Sequence, residues 1–397
     1  MLRNEEQRSQ TIPVIHSLFL IFFGAAVLAT AALYARQAMI LSYIAVGVVV
    51  GPWGLNWISN PGLIADFSNI GILFLLFLLG LNLEISELKK LFREAIAVTL
   101  ISSLLFFFVG CAIAAAFGFT GLDIFLTGLA LVFSSTIISL KLLPTSALHH
   151  QRMGELIVSI LLLQDMIAIL ALIGLHSFGS GKGLVAETML LIVGLPALLF
   201  AAWWVASRVL TRLFLKFDKI HEYLFLVSIG WCLGLAELAT IIGLSHEIGA
   251  FIAGITLATN PIARFLSESL KPLRDFFLVL FFFALGASFN IEGLPAVAAP
   301  ALILALFAVA GKPWVFKLLL QREQEKARMA HETGMRLGQI SEFSLLIVIA
   351  AVNLDYISKT ASIMIQSATL LSFVLSSFWV VRHYPTPIAN DPALHRD

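Results

Sequence analysis

The sequence predicts an all-α polytopic membrane protein with about 13 transmembrane helices. Three observations carry that expectation. Of the 397 residues, 59% are hydrophobic and only 12% charged, roughly half the charged share of an ordinary soluble domain. Apolar runs of about 20 residues, the length that crosses a bilayer as a helix, recur from Ile12 to Val381. The basic residues between those runs alternate sharply from one connector to the next. No connector is long enough to build a water-soluble domain, so residues 1–397 read as a single membrane domain, with a transmembrane region over 12–382 and a short cytoplasmic tail over 383–397.

Taken in order, the apolar runs place helices at roughly 12–34, 37–52, 61–83, 90–117, 123–143, 153–176, 184–208, 221–241, 245–259, 271–288, 295–319, 330–352 and 360–382. The polar start MLRNEEQRSQ carries both charge signs, and the run after it lacks a small-residue cleavage site, so the first helix reads as retained and not as a signal peptide. Among the Lys and Arg residues, Arg3, Arg8, Lys182 and Lys359 fall on one side, Lys312 lies inside helix eleven, and all the others flank the connectors after odd-numbered helices. By the positive-inside rule the N-terminus is outside and the C-terminus cytoplasmic. The formal net charge of +1 and the absence of Lys/Arg-rich runs argue against nucleic acid as a partner. Cys111 and Cys232 sit within apolar runs and read as small buried hydrophobes.

Against that apolar background a few residues need a partner or a task, because an ionisable group at bilayer depth costs ~2.5–3.5 kcal/mol on insertion scales. Gln164 and Asp165 lie side by side in LLLQDMIAIL, near the middle of helix six. Helix five carries Ser134, Ser135 and Thr136 in LVFSSTIISL; helix twelve carries Gly338, Gln339, Ser341 and Glu342 in RLGQISEFSLLIV. Either hydroxyl set alone could be helix-packing glue. Together they occupy corresponding places in the two halves of the chain, each beside a helix with a midplane charge, Asp165 or Lys312. Paired interrupted helices of this kind point to inverted repeats and a transporter site at the midplane. Lys312 reads either as a snorkelling lysine or as the intramembrane partner of Asp165, and Pro313 weakens the helix beside it. Glu342 reads as support for the end of the broken helix or as a contact of Arg336; Glu237 reads as a buried structural acid deep in helix eight, and His246 and Glu247 as solvated residues of a short connector.

These stretches resemble one family. ILSYIAVGVVVGPWGL, NIGILFLLFLLGLNLE, LVFSSTIISLKLL, LLLQDMIAI, GLSHEIGAFIAGITLA, PLRDFFLVLFFFALGASFN and GMRLGQISEFSLL are similar, in this order, to signatures of the Kef-type branch of the bacterial monovalent cation:proton antiporters. The resemblance implies two broken crossing helices, a dimerisation domain with a mobile core domain, a homodimer in the bacterial inner membrane, and an aspartate that exchanges a cation for a proton. Kef systems carry a nucleotide-binding regulatory domain after the last helix, whereas this chain stops at RHYPTPIANDPALHRD, so gating by a nucleotide or glutathione is not expected, and any regulation would fall to a separate regulatory subunit. IARFLSESLKPLRDFF also lacks a clear match to the acidic loop of gated members.

Antiport needs one site that cation and proton cannot occupy together, and a carboxylate in a partly dehydrated cavity meets that need. Asp165 is the expected carrier, with the Gln164 carbonyl and oxygens near Ser134, Ser135 and Thr136 completing a shell for a hard alkali cation, K+ favoured and Na+ possible. Lys312 would balance the charge of Asp165, and Gln339, Ser341 and Glu342 would support the second interruption. With one carboxylate the exchange is expected to be electroneutral, with no cofactor. A cation conduit or sensor is the competing class, though no T-V-G-Y-G-like filter is present. An intramembrane aspartyl enzyme would need two carboxylates sharing one site, and an H-E-x-x-H helix is lacking.

Overall fold

The computed structural model describes residues 14–386 except 36, 59, 82–84, 144–151, 179–192, 243, 261 and 290. Arg3, Arg8, Lys182, Arg396 and the expected start of helix seven lie outside the described residues. All regular structure among the described residues is helical, in the order α1 (Val14–Tyr34), α2 (Met39–Val50), α3 (Pro61–Leu81), α4 (Ile85–Ala116), α5 (Leu122–Val132), α6 (Thr136–Lys141), α7 (Arg152–Phe178), α8 (Leu195–Val205), α9 (Thr211–Lys216), α10 (His221–Ile241), α11 (His246–Ala258), α12 (Ala263–Ser269), α13 (Lys271–Ala287), α14 (Leu294–Leu306), α15 (Lys312–Arg322), α16 (Ala327–Arg336), α17 (Glu342–Asn353) and α18 (Lys359–His383). Taking α5 with α6, α8 with α9, α14 with α15 and α16 with α17 as single interrupted segments, and α12 as a connector, these match the expected helices in order.

Two joints are π-helical turns. Ala206–Leu210 carries α8 into α9, and Phe307–Gly311 carries α14 into α15. The second has a local cause: Pro313, in the first turn of α15, has no N–H to offer the preceding turn and its ring crowds that turn's carbonyl, so the widened turn absorbs the misfit. Helix eleven thus continues through Pro313, as expected, with the weakened turn taking the π form.

The chain divides into two compact units, one made of Met1–Ala25, Tyr43–Glu87 and Ile173–Ser288, the other of Ala26–Ser42, Leu88–Leu172 and Phe289–Asp397. In the first unit α3 packs against α11 and α13, and α10 packs against α11. The α3–α11 contact depends on two glycines. A Cβ on Gly80 would lie 2.6 Å from the Phe251 carbonyl oxygen, and one on Gly254 would run into the carbonyl of Phe77. Only a residue without a side chain lets these backbones approach so closely, which is how apolar helices gain van der Waals energy where no hydrophobic effect drives them together. Phe74 stacks on Phe277 beside this contact, with ring centroids 4.2 Å apart.

The second unit has two halves of the same design. Each runs from a long helix (α4; α14 with α15) through an interrupted one (α5 with α6; α16 with α17) to another long helix (α7; α18). α18 packs on α14 and α17, α15 on α16, and α17 on α5. At one end the Ser358 amide donates to Asp123 Oδ1 at 2.8 Å; at the other Arg152 Nε pairs with Glu325 Oε1 at 3.1 Å. Each of these pairs joins residues that the alternation of basic connectors places on the same side of the bilayer.

Candidate functional site

Both interruptions lie in the second unit, and their backbone polar groups must be satisfied inside the protein at a depth where water is absent. The first follows Val132. Phe133 is extended (φ −83, ψ 145), and Ser135 caps α6 by accepting the Ile138 amide on Oγ. Two backbone groups of this stretch are taken by one side chain: the Ser134 amide donates to Gln164 Oε1 at 3.0 Å, and Gln164 Nε2 donates to the Val132 carbonyl at 3.2 Å. Gln164 is fully buried. Expected as a cation ligand, its amide holds the unwound backbone open at both of its ends.

Asp165, on the same helix, is 1% exposed. Thr136 Oγ1, in the first turn of α6, lies 3.3 and 3.2 Å from its two carboxylate oxygens and donates to them. The carboxylate therefore sits at the N-terminal end of a half-helix, where free amides and the helix dipole favour negative charge. Ser134 and Ser135 are buried in the same turn.

The second interruption follows Arg336 and ends at Ser341, which caps α17 by accepting the Phe343 amide at 3.1 Å. Gln339 fills it much as Gln164 fills the first. Its Nε2 donates to Ser139 Oγ at 2.7 Å, the Arg336 carbonyl at 3.0 Å and the Ser135 carbonyl at 3.3 Å, while its Oε1 accepts from Ser376 Oγ at 3.1 Å. The Ile340 amide donates to Ser372 Oγ at 3.0 Å, and Ser344 Oγ to the Ala130 carbonyl at 2.6 Å. Ser139, Ser372 and Ser376 were not expected here. Ser372 and Ser376 stand four residues apart, one face of α18, and that spacing inside an apolar run was the signal that marks them.

Lys312 joins the two interruptions. Its Nζ donates to the Phe133 carbonyl at 2.8 Å and the Gln339 carbonyl at 3.0 Å, and lies 5.1 Å from the centre of the Phe106 ring. Snorkelling is ruled out, since the residue is 0% exposed. Direct pairing with Asp165 is corrected as well: the described ion pairs do not join them, and the ammonium is spent on carbonyls at the negative ends of α5 and α16. Glu342 makes the complementary contact. From the start of α17 its Oε1 accepts the Ile137 amide of α6 at 3.2 Å. Each half-helix end thus meets a side chain of opposite sign, and the charges cross from one half of the unit to the other.

Two further expectations are corrected. Glu342 does not meet Arg336, which pairs with Glu332 at 2.7 Å and donates to the carbonyls of Leu142 and Pro385, each at 2.8 Å. Glu237 is not deep: it stands one turn before the end of α10, 69% exposed, and 3.5 Å from His246 across the connector.

The model of the sodium/hydrogen exchanger transmembrane family matches residues 18–383. Among curated proteins, an iron transporter, MagA, of Paramagnetospirillum magneticum is 27% identical over 87% of this chain and 80% of its own length. K(+) efflux antiporters 5 and 4 of Arabidopsis thaliana are 28% and 29% identical over 85% and 86% of the chain, which spans only 61% and 59% of their lengths. The sodium proton antiporter MjNhaP1 of Methanocaldococcus jannaschii superposes with a TM-score of 0.69 over 92% of this chain and 96% of its own, at 18% identity. A multi-pass membrane fold with two interrupted helices and a buried carboxylate between them defines the class, that of secondary transporters. The chain belongs to the sodium/hydrogen exchanger transmembrane family.

Proposed function

We propose that this protein exchanges a monovalent alkali cation for a proton by alternating access, with both ions competing for Asp165. The single observation that carries the reading is the placement of that carboxylate: buried, met by the Thr136 hydroxyl, and set against the N-terminal end of a half-helix. Cation and proton cannot both occupy one carboxylate, so each must leave before the other enters. Oxygens supply the surroundings, from the hydroxyls of Ser134, Ser135 and Thr136, a donor type suited to hard ions, while the Gln164 amide holds the backbone that carries them. One relative is named for iron, but among the described residues no three His, Cys, Asp or Glu side chains gather as a transition-metal site would require. K+ is the favoured cargo, in keeping with the names of the plant relatives, and Na+ is the second.

Charge counting supports a one-for-one exchange. Lys312 and Glu342 carry opposite formal charges, which leaves Asp165 to be neutralised by a cation in one loaded state and by a proton in the other. No net charge would then cross the membrane. The motif resemblance further supports a homodimer in the bacterial inner membrane, and the distribution of basic residues supports a cytoplasmic C-terminus.

The test is pH-gradient dequenching in proteoliposomes, titrated with K+, Na+, Li+ and Rb+. The expected result is saturable dissipation of the gradient by K+ and, at higher concentration, by Na+. A gradient dissipated by none of them would sink the exchange reading. Cation flux that leaves the proton gradient intact would make the protein a conduit instead.

A further inference from the structure

Arg336 does not touch the Asp165 carboxylate, yet it is 2% exposed and bonded well beyond what the end of α16 requires. Its guanidinium is fixed on one side by Glu332, whose Oε1 accepts from Nε at 3.1 Å and from Nη2 at 2.7 Å. The chain beyond α18 fixes it as well: Nη2 also donates to the Pro385 carbonyl at 2.8 Å, and the guanidinium carbon lies 5.8 Å from the centre of the Tyr384 ring. Held in this way, Nη1 is aimed at the other half of the unit, where it donates at 2.8 Å to the carbonyl of Leu142, the residue directly after α6. The main chain of Arg336 grips the same helix a second time. Its carbonyl accepts from Ser139 Oγ at 2.8 Å, and Gln339 Nε2 bonds both of those oxygens.

α6 needs such a grip. Its six residues make fewer than two turns, far below the length at which a helix stands by itself, so its position is set by what its ends are tied to. Its start is tied through the Ile137 amide to Glu342, and its far end to Arg336. Thr136, whose hydroxyl donates to Asp165, and Ser139 are three residues apart and so about 60° apart around the helix axis. The Ser139 bond therefore also sets the rotation that presents Thr136 to the carboxylate. We propose that Arg336 is a positioning residue for the exchange, holding the far end of α6 at the height and rotation that keep the Thr136 hydroxyl on Asp165. It contacts neither ion and acts through Thr136 alone, with Glu332 and Pro385 as its fixed supports. This inference deepens the exchange reading and rests on it.

The experiment is a double-mutant cycle on the full chain, purified and reconstituted, with wild type, Arg336→Lys, Thr136→Val and the pair compared. The half-saturating K+ concentration is read in the dequenching assay and from cation-dependent thermal stabilisation in detergent, with choline holding ionic strength constant. Lysine keeps the charge for Glu332 but lacks the planar fork that reaches Glu332, Pro385 and Leu142 together. Valine keeps the shape of Thr136 and removes the hydroxyl through which Arg336 acts. The expected result is a rise of about fivefold in half-saturation for Arg336→Lys in the wild-type background and almost none in the Thr136→Val background, the non-additivity of residues that act through one another. The melting temperature without cation should fall equally in both backgrounds, which separates plain stability from positioning. Equal rises in half-saturation in the two backgrounds, or no rise in either, would overturn the inference while leaving exchange at Asp165 standing. Wild type that neither exchanges nor is stabilised by any cation would remove the exchange reading itself. If Arg336→Lys yields no folded protein, Glu332→Gln decides in the same cycle, because it loosens the guanidinium without deleting it: a rise of about twofold that vanishes beside Thr136→Val supports the tether, and a rise that persists there overturns it.

Discussion

In the unit that contains Tyr43–Glu87 and Ile173–Ser288, helices meet where glycines let their backbones touch, as Gly80 and Gly254 do between α3 and α11. In the unit that contains Leu88–Leu172 and Phe289–Asp397, they meet through buried polar atoms, with Gln164, Lys312, Gln339 and Glu342 each bonded to the main chain of another element. The first kind of contact has no charge to match and no ion to admit. The second keeps amides, carbonyls and carboxylates inside a membrane protein, which is costly unless every one of them is used. The polar unit is therefore where the proposed exchange is placed, and the comparison can be broken or sharpened by substitutions on either side of it.

The largest effect is expected at Asp165. Asp165→Asn keeps the side chain's shape and its place beside Thr136 but removes the exchangeable charge, so proton-coupled cation flux should fall to the liposome background while the protein purifies with an unchanged oligomeric state. Exchange at the wild-type rate would refute the assignment. Next comes Lys312→Met, which strands the Phe133 and Gln339 carbonyls in a dry interior. At about 1–3 kcal/mol for each unsatisfied group, the thermal midpoint in detergent should drop by more than for any single substitution in the glycine-packed unit. A small drop there would show that the two interruptions hold themselves open without the lysine.

Gln164→Ala should cost less stability, because the gap it leaves still holds Lys312 at the adjacent carbonyl, but it loosens the backbone around Asp165. The half-saturating cation concentration should rise more than the maximal rate falls; the reverse pattern would leave the amide with a purely structural role. The smallest effect on transport is expected from Gly254→Ala. Its new Cβ meets the Phe77 carbonyl, an overpacking that costs about 1–3 kcal/mol, yet half-saturation in the folded protein should match wild type. A changed affinity in this variant would show that the apolar unit shapes the site, and would end the division of labour drawn above.

Most of the site was legible because polar residues in an apolar span are conspicuous. Gln164, Asp165, the Ser134–Thr136 hydroxyls, Lys312 and Gln339 stood out on composition alone, and the structure brings them into one network. Their partners were not legible, because many of them are main-chain atoms. Nothing in the identity of Phe133 announces that its carbonyl receives Lys312, and nothing in Glu342 announces that it reaches Ile137, more than two hundred residues earlier in the chain. Arg336 was the nearer candidate in sequence, but Glu332, one helical turn before it, already holds its guanidinium. Glu237 was misplaced for a simpler reason: the expected bounds of helix eight, 221–241, are those of α10, but a residue one turn before its end was read as deep within it. The π turn before Lys312 was half legible: Pro313 marks a weak point in helix eleven, but not the form of the turn that accommodates it.

The central claim is that one carboxylate is shared by cation and proton, and the most direct measurement is the half-saturating K+ concentration as a function of pH, taken from cation-dependent stabilisation of the purified chain. For a single shared carboxylate, cation and proton compete one for one, so in the acid range half-saturation should rise tenfold for each unit that the pH falls, levelling off at alkaline pH where no proton competes. A half-saturation independent of pH would mean separate sites and contradict the account, as would a hundredfold rise per unit, which would require a second proton and a second titrating acid.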